Sequence, residues 1–173
     1  MTDTRQSEAF YLSQFGITGR EVQAVMGQVK VRDVDYADLY FEHTVAESVS
    51  MEESLVKRAS KSISQGVGVR ATAGEKTGYA YSDEITLAQL EQAADTARYI
   101  ARSPAGTGTV PAIRMGHPSR NLYPVTKPAT EVETREKVAL LEKIDALART
   151  YDPRIKNVMA SFSTEYKLSL IHI

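Results

Sequence analysis

The pattern of apolar and polar positions divides the chain into helical, alternating and again helical stretches. Thr4–Phe15 predicts an amphipathic helix that offers Phe10, Leu12 and Phe15 for burial and stops at Gly16. Arg20–Val31 predicts a second helix, with Val22, Val25, Met26 and Val29 at helical spacing. From Ala37 to Met51 the period drops to two. Leu39, Phe41, His43 and Val45 fall on one face of a strand, and Tyr40, Glu42 and Thr44 on the other. A turn near Glu52–Ser54 leads into a partner strand over Leu55–Lys61, and Ile63–Ala71 and Thr77–Tyr81 read as a hairpin around Ala73–Lys76. Thr86 with Gln89 three residues later is a capping-box signature, followed by an apolar stripe of Leu87, Leu90, Ala94, Ala97 and Ala101. So many alanines predict a helix lying close against a sheet. Ser103–Pro128 is rich in Pro and Gly, lacks periodicity and predicts a long surface excursion. Glu133–Thr150 predicts a helix with Val138, Leu141, Ile144 and Ala148 facing inward, stopped before Pro153, and Val158–Tyr166 a last alternating strand. Helices on a mostly antiparallel sheet make the expected class α+β, as a single domain.

The densest chemical signal is Gln65–Asp83, QGVGVRATAGEKTGYAYSD. Gly66–Ala71 matches the GxGxxA variant of the dinucleotide fingerprint, which works only where a strand ends and a helix begins. Here a turn and another alternating strand follow, so the fingerprint fails on context. Gly74-Glu75-Lys76-Thr77 resembles the end of a phosphate-binding loop, but Glu75 stands where that loop needs glycine and would repel phosphate. As strand residues, Gly66, Gly68 and Arg70 share one face while Val67, Val69 and Ala71 share the other. Glycines inside a strand admit close approach of another backbone. Gly66, Gly68, Arg70, Gly78 and Tyr79 are therefore candidates for contact with an extended peptide or a neighbouring subunit. The alternative is that these glycines permit a bulge or tight packing beneath a helix.

Composition narrows the function further. Lys plus Arg number 21 against 22 for Asp plus Glu, which gives no electrostatic case for nucleic acid or an anionic membrane. The absence of Cys removes disulfides and thiolate metal sites and fits a reducing compartment. The polar N-terminus has no apolar signal core, and no apolar run approaches the roughly 20 residues that span a bilayer. A soluble, cytoplasmic domain is expected. His43, His117 and His172 lie far apart in sequence, none with a second His or a Glu at helical ligand spacing. No Ser/His/Asp arrangement is legible, and Glu52–Glu53 read as turn charges. No catalytic, cofactor-binding or metal-ligating residue is assigned within the chain.

Three runs carry a family likeness: Asp35–Phe41 (DYADLYF), Gln65–Ala71 (QGVGVRA) and Gly74–Asp83 (GEKTGYAYSD). Together they resemble the N-terminal domain of the TldD/PmbA metallopeptidases, and the GEKTG(Y/F)AY run is similar to the TldD branch rather than its sibling. The likeness covers the chain to about Lys167. It implies that zinc is held by an HExxxH helix and a further ligand in a C-terminal domain, where the Glu activates water. That motif does not occur in this sequence, so no catalytic role carries over to any residue of it. The resemblance also implies pairing with a catalytically silent sibling subunit around a chamber that admits unfolded peptide. The N-terminal domain is then expected to supply wall, partner contacts and an edge for extended substrate.

Residues 168–173, LSLIHI, are what the sequencing-adapter stretch CTGTCTCTTATACACATC encodes in frame. The expected division is therefore a family-like domain over 1–167 and an adapter-derived tail over 168–173, with an apolar edge exposed at the end of the last strand. Two functions stand at this point: the N-terminal domain of a zinc-dependent peptidase of small peptides or unfolded segments, inactive by itself, or a stand-alone α+β binding or assembly module.

Overall fold

A computed structural model describes residues 4–30, 34–102 and 125–173. Helices α1 (Thr4–Phe15) and α2 (Gly19–Val29) are followed by strands β1 (Tyr36–Glu52), β2 (Leu55–Ala73) and β3 (Lys76–Ser82). Helix α3 (Leu87–Ala101), a short 3-10 turn at Ala129–Glu131, helix α4 (Thr134–Tyr151) and strand β4 (Met159–His172) complete the described elements. The strands form one antiparallel sheet in the order β3-β2-β1-β4 with the helices packed on it, the α+β class expected. Most of the expected excursion, residues 103–124, lies outside the described residues.

Contacts cluster in two compact units. The first draws on Met1–His43, Gln65–Pro124 and Leu168–Ile173. Its helix α2 begins at Gly19, one residue before the expected Arg20, with a complete capping box that Thr18-x-x-Glu21 spells. The Thr18 amide donates to Glu21 Oε2 at 2.7 Å and the Glu21 amide donates to Thr18 Oγ1 at 3.3 Å. In α3, Thr86 Oγ1 accepts from the Gln89 amide, one of the two bonds of the expected capping box. Val22, Val25 and Val29 of α2, the α3 stripe Leu90, Ala93, Ala94, Ala97 and Ala101, and Leu39, Phe41, Val67, Val69 and Ala71 of the strands are buried. In α1 the expected burial of Leu12 is corrected, since Leu12 is exposed while neighbouring Tyr11 is buried and donates its hydroxyl to the Leu168 carbonyl at 3.0 Å. That bond gives the phenol a partner inside the core, which lets a polar-tipped ring replace leucine there. Burial pushes the Tyr11 phenol well above its ordinary range.

The second unit comprises Thr44–Ser64 and Val125–Lys167. Val49, Met51 and Leu141 form its core, with Val138, Ala160 and Phe162 packed against them. Here the expected inner face of α4 is corrected: Ile144 is exposed, and Lys137 and Asp145 are buried instead. Lys137 donates to Glu47, which also holds Lys61 at 2.8 Å. Asp145 accepts from Ser54 Oγ at 2.7 Å and from Arg149. Paired charges thus occupy positions that hydrophobicity alone gives to Ile144.

Two strand boundaries also differ from expectation. Leu55–Lys61 and Ile63–Ala71 are parts of one strand, β2, through which Ser62 continues the extended backbone. β4 runs on past Tyr166 to His172, continuing the alternation, and buries Leu168 and Leu170. β1 and β2 are joined by Glu53 and Ser54, both with positive φ (53° and 60°), the signature of a type I′ hairpin turn in residues that adopt it at a cost. The β2–β3 turn places only Gly74 at positive φ (58°), and its amide donates to Asp35 Oδ2 at 2.7 Å.

Candidate functional site

The strand register sorts the predicted residues. Arg70 lies opposite Tyr79, Gly68 opposite Tyr81, and Ala71 opposite Gly78. Residues directly opposite each other share a face, so Gly68, Arg70, Tyr79 and Tyr81 look one way and Gly78 the other. On the first face Arg70 Nε and Nη2 both donate to Asp38 Oδ2, at 2.8 and 2.5 Å, and the guanidinium lies 5.5 Å from the centre of the Tyr36 ring. Asp38 is buried while Arg70 is exposed. Hydrogen bonding to Asp38 holds the Arg70 guanidinium above its ordinary pKa, and burial, followed by the bond to Asp38, raises Tyr36. Tyr79 and Tyr81 stack with ring centres 6.2 Å apart.

The glycines have different roles. A Cβ on Gly68 would sit 2.6 Å from the Tyr79 hydroxyl, so the tyrosine ring covers the glycine as a side chain of its own would. A Cβ on Gly66 would meet the Ser82 carbonyl oxygen at 2.8 Å. One on Gly78 would lie 1.9 Å from the Ala97 carbonyl oxygen, which makes Gly78 the place where α3 touches the sheet. The structure therefore brings Gly68, Arg70 and Tyr79 together, joined by Tyr36, Asp38 and Tyr81, and sets Gly78 apart. Asp38 and Tyr36 were missed at the sequence level, although the alternation of β1 places them on the face opposite Leu39.

A second feature lies on β2 itself. β3 pairs with Val67–Ala73 only. The outer edge of Leu55–Ser64 consequently has no hydrogen-bonded neighbour among the described residues. Leu55, Val56 and Ile63 are exposed along it. Lys57, Arg58 and Lys61 also lie on this stretch, with Lys57 paired to Glu53 at 3.3 Å and Lys61 to Glu47. Lysines of this kind discourage indiscriminate edge pairing, and main-chain groups along an unpaired edge are of the kind that can pair with an added strand.

The two described histidines pack against aromatic rings. The His43 ring lies 5.0 Å from Phe10 and 6.4 Å from Phe15, and burial lowers its pKa. His172 lies edge-on to Phe41 at 6.3 Å, its pKa likewise lowered by burial, with Glu8 acting in the opposite sense. His117 falls outside the described residues. Among the described residues no group of three or more His, Cys, Asp or Glu could hold a metal ion. The donor set of the described residues therefore does not fit a zinc site, since the imidazoles pack against phenyl rings rather than converging with carboxylates. Nor is any described helix long and apolar enough to cross a membrane.

Comparison with known proteins places the chain within a family. A family model described as PmbA/TldA metallopeptidase domain 1 matches residues 37–101, and one described as the PmbA/TldA metallopeptidase central domain matches residues 127–171. The chain is 40% identical over 141 residues to a metalloprotease TldD homolog of Haemophilus influenzae, covering 81% of this chain and 29% of that protein. It is 30% identical over 160 residues to a metalloprotease TldD homolog of Buchnera aphidicola subsp. Schizaphis graminum, covering 92% of this chain and 33% of the relative. The chain thus spans about a third of the length of these curated relatives. Among solved structures, TldE from Thermococcus kodakarensis aligns with a TM-score of 0.59 at 17% identity, over 87% of this chain and 34% of that one. At that identity the likeness is one of fold.

Proposed function

Because the chain belongs to the PmbA/TldD metallopeptidase family, we propose that it is the N-terminal, non-catalytic part of a TldD-like zinc metallopeptidase acting on small peptides or unfolded segments. In this reading it contributes chamber wall, contacts with a sibling subunit and a docking edge for extended peptide, in the cytoplasm. The observation that carries the peptide-binding role is the unpaired outer edge of Leu55–Ser64. Main-chain hydrogen bonds along such an edge bind a strand without demanding one sequence, which suits a peptidase of unfolded segments. The Gly68, Arg70 and Tyr79 face is the second candidate surface; there Arg70 already commits Nε and Nη2 to Asp38, which favours a positioning role for it. The metal and its water-activating carboxylate belong to the part of the protein that the longer relatives possess beyond this stretch.

The experiment places a photo-crosslinkable residue at Ile63 in the full-length enzyme and offers it an unfolded peptide substrate. Cross-linking that unlabelled peptide suppresses supports the edge. An enzyme that cleaves the peptide yet never cross-links it from Ile63 overturns the edge, and an unchanged peptide affinity in Arg70→Glu removes Arg70 from the site. Chelator-sensitive peptide hydrolysis by these 173 residues alone would contradict the non-catalytic assignment.

A further inference from the structure

Helix α4 carries an exposed apolar stripe beside the face that its own unit covers. Its inner stripe, Lys137, Leu141 and Asp145, faces the strands of its own unit. About 90° around the axis, at 100° per residue, runs a second stripe of Leu140, Ile144, Leu147 and Tyr151. These side chains are 46%, 42%, 60% and 89% exposed. A helix that packs on one layer alone needs a single apolar stripe, with polar residues around the rest. α4 carries a buried stripe of Leu141 and paired charges and, beside it, an exposed apolar one, the pattern of a helix held between two layers. The spacing of the outer stripe also states the shape of what covers it. Steps of four, three and four residues make a seam of the kind that interlocks with another helix, whereas a strand offers a repeat of two.

We infer that the outer face of α4 seats a helix contributed by the same polypeptide outside these 173 residues, with leucine- or isoleucine-type side chains at matching three–four spacing. Two observations select this occupant over a separate subunit. First, the exposed apolar seam among the described residues of α4 is Leu140, Ile144, Leu147 and Tyr151, which by itself falls far short of the roughly 20–30 residues a side of a stable interface between separate molecules. A tethered element escapes most of the cost of association, so a short seam suffices for it. Second, the stretch containing α4 matches a domain described as central, in relatives about three times the length of this chain. The further polypeptide that the proposal requires is therefore present in those relatives.

The test uses the full-length protein with its other cysteines replaced by serine; the present stretch contains none. Leu147→Cys and Ile144→Cys are compared with Glu142→Cys, an exposed position on the same helix that lies off the seam. The proposal expects the two seam variants to react with maleimide about tenfold or more slowly than Glu142→Cys, at every protein concentration. It also expects a short cross-linker from the Leu147→Cys variant to reach residues beyond 173 of the same chain. Equal labelling rates overturn it by showing a bare face. Protection that grows with protein concentration, or cross-links to a second copy, to a sibling subunit or to residues 103–124, overturn it by naming a different occupant.

Discussion

Replacing Gly78 with alanine should unseat α3 from the sheet. The added Cβ would lie 1.9 Å from the Ala97 carbonyl oxygen and 2.9 Å from both the Ala97 carbonyl carbon and the Ala101 amide nitrogen. Ordinary carbon–oxygen contacts begin near about 3.3 Å, so the helix must withdraw by more than about 1 Å. The obstructing atoms are helix backbone, which no rotamer change can move. Withdrawal loosens the contacts of Leu90, Ala93, Ala94, Ala97 and Ala101, all buried in α3. Overpacking costs about 1–3 kcal/mol, and an immovable backbone places this case at the upper end. The lower unfolded-state entropy of alanine returns about 0.4–1 kcal/mol, leaving a net loss of about 2 kcal/mol. Denaturant unfolding followed by circular dichroism measures it, with two other glycines as internal contrasts. Gly68→Ala meets the tip of the Tyr79 ring, which can swing outward, so its cost should stay below about 1 kcal/mol. Gly27→Ala meets nothing within 4 Å in the exposed interior of α2 and should stabilise by about 0.5–1 kcal/mol. A Gly78→Ala protein as stable as wild type, or a Gly68→Ala protein equally damaged, would refute the packing argument.

Other perturbations give equally definite expectations. Glu47→Ala leaves Lys137 buried without its carboxylate and should cost about 3 kcal/mol, more than Lys137→Met, which leaves Glu47 its bond to Lys61; equal losses in denaturant titrations would contradict this order. Burial lowers the His43 pKa below its ordinary 6.5, so the unfolded chain binds the proton more readily. The His43 contribution is then complete above that ordinary value and is lost as pH falls from it through the lowered folded-state value. His43→Phe should flatten the fall in stability that sets in below the ordinary 6.5, with the residual slope shared by His172; an unchanged curve would place His43 in water. Glu53→Asn relieves the positive φ of the type I′ turn without touching the Ser54–Asp145 bond, and should raise stability by about 0.5–1 kcal/mol in the same assay.

What could be read from the sequence follows a physical division. The α3 stripe, the Thr86 cap and the glycine hairpin rest on short-range periodicity and turn chemistry, and they stand as expected. The failed nucleotide motifs were legible for the same reason, because Gly66 and Gly68 run into a strand and a turn rather than a helix. The rotation of α4 was not legible, because Lys137 and Asp145 look like solvent residues until Glu47 and Ser54 are brought beside them. Tyr11 replaced Leu12 in the core because its hydroxyl has an acceptor more than 150 residues away along the chain. The union of β2 escaped notice because an exposed strand carries polar residues on both faces and loses its alternation. Gly68 and Gly78 are alike in sequence; only the register shows that one lies under a tyrosine and the other under a helix.

The most direct test of the central claim is the nucleotide sequence of the source locus, read through codon 167 and well beyond. The account predicts an open frame continuing into a segment that encodes HExxxH, downstream of the two domains matched here. A genomic frame that encodes LSLIHI and stops there would contradict it, and would leave a binding or assembly module in place of the front part of a peptidase.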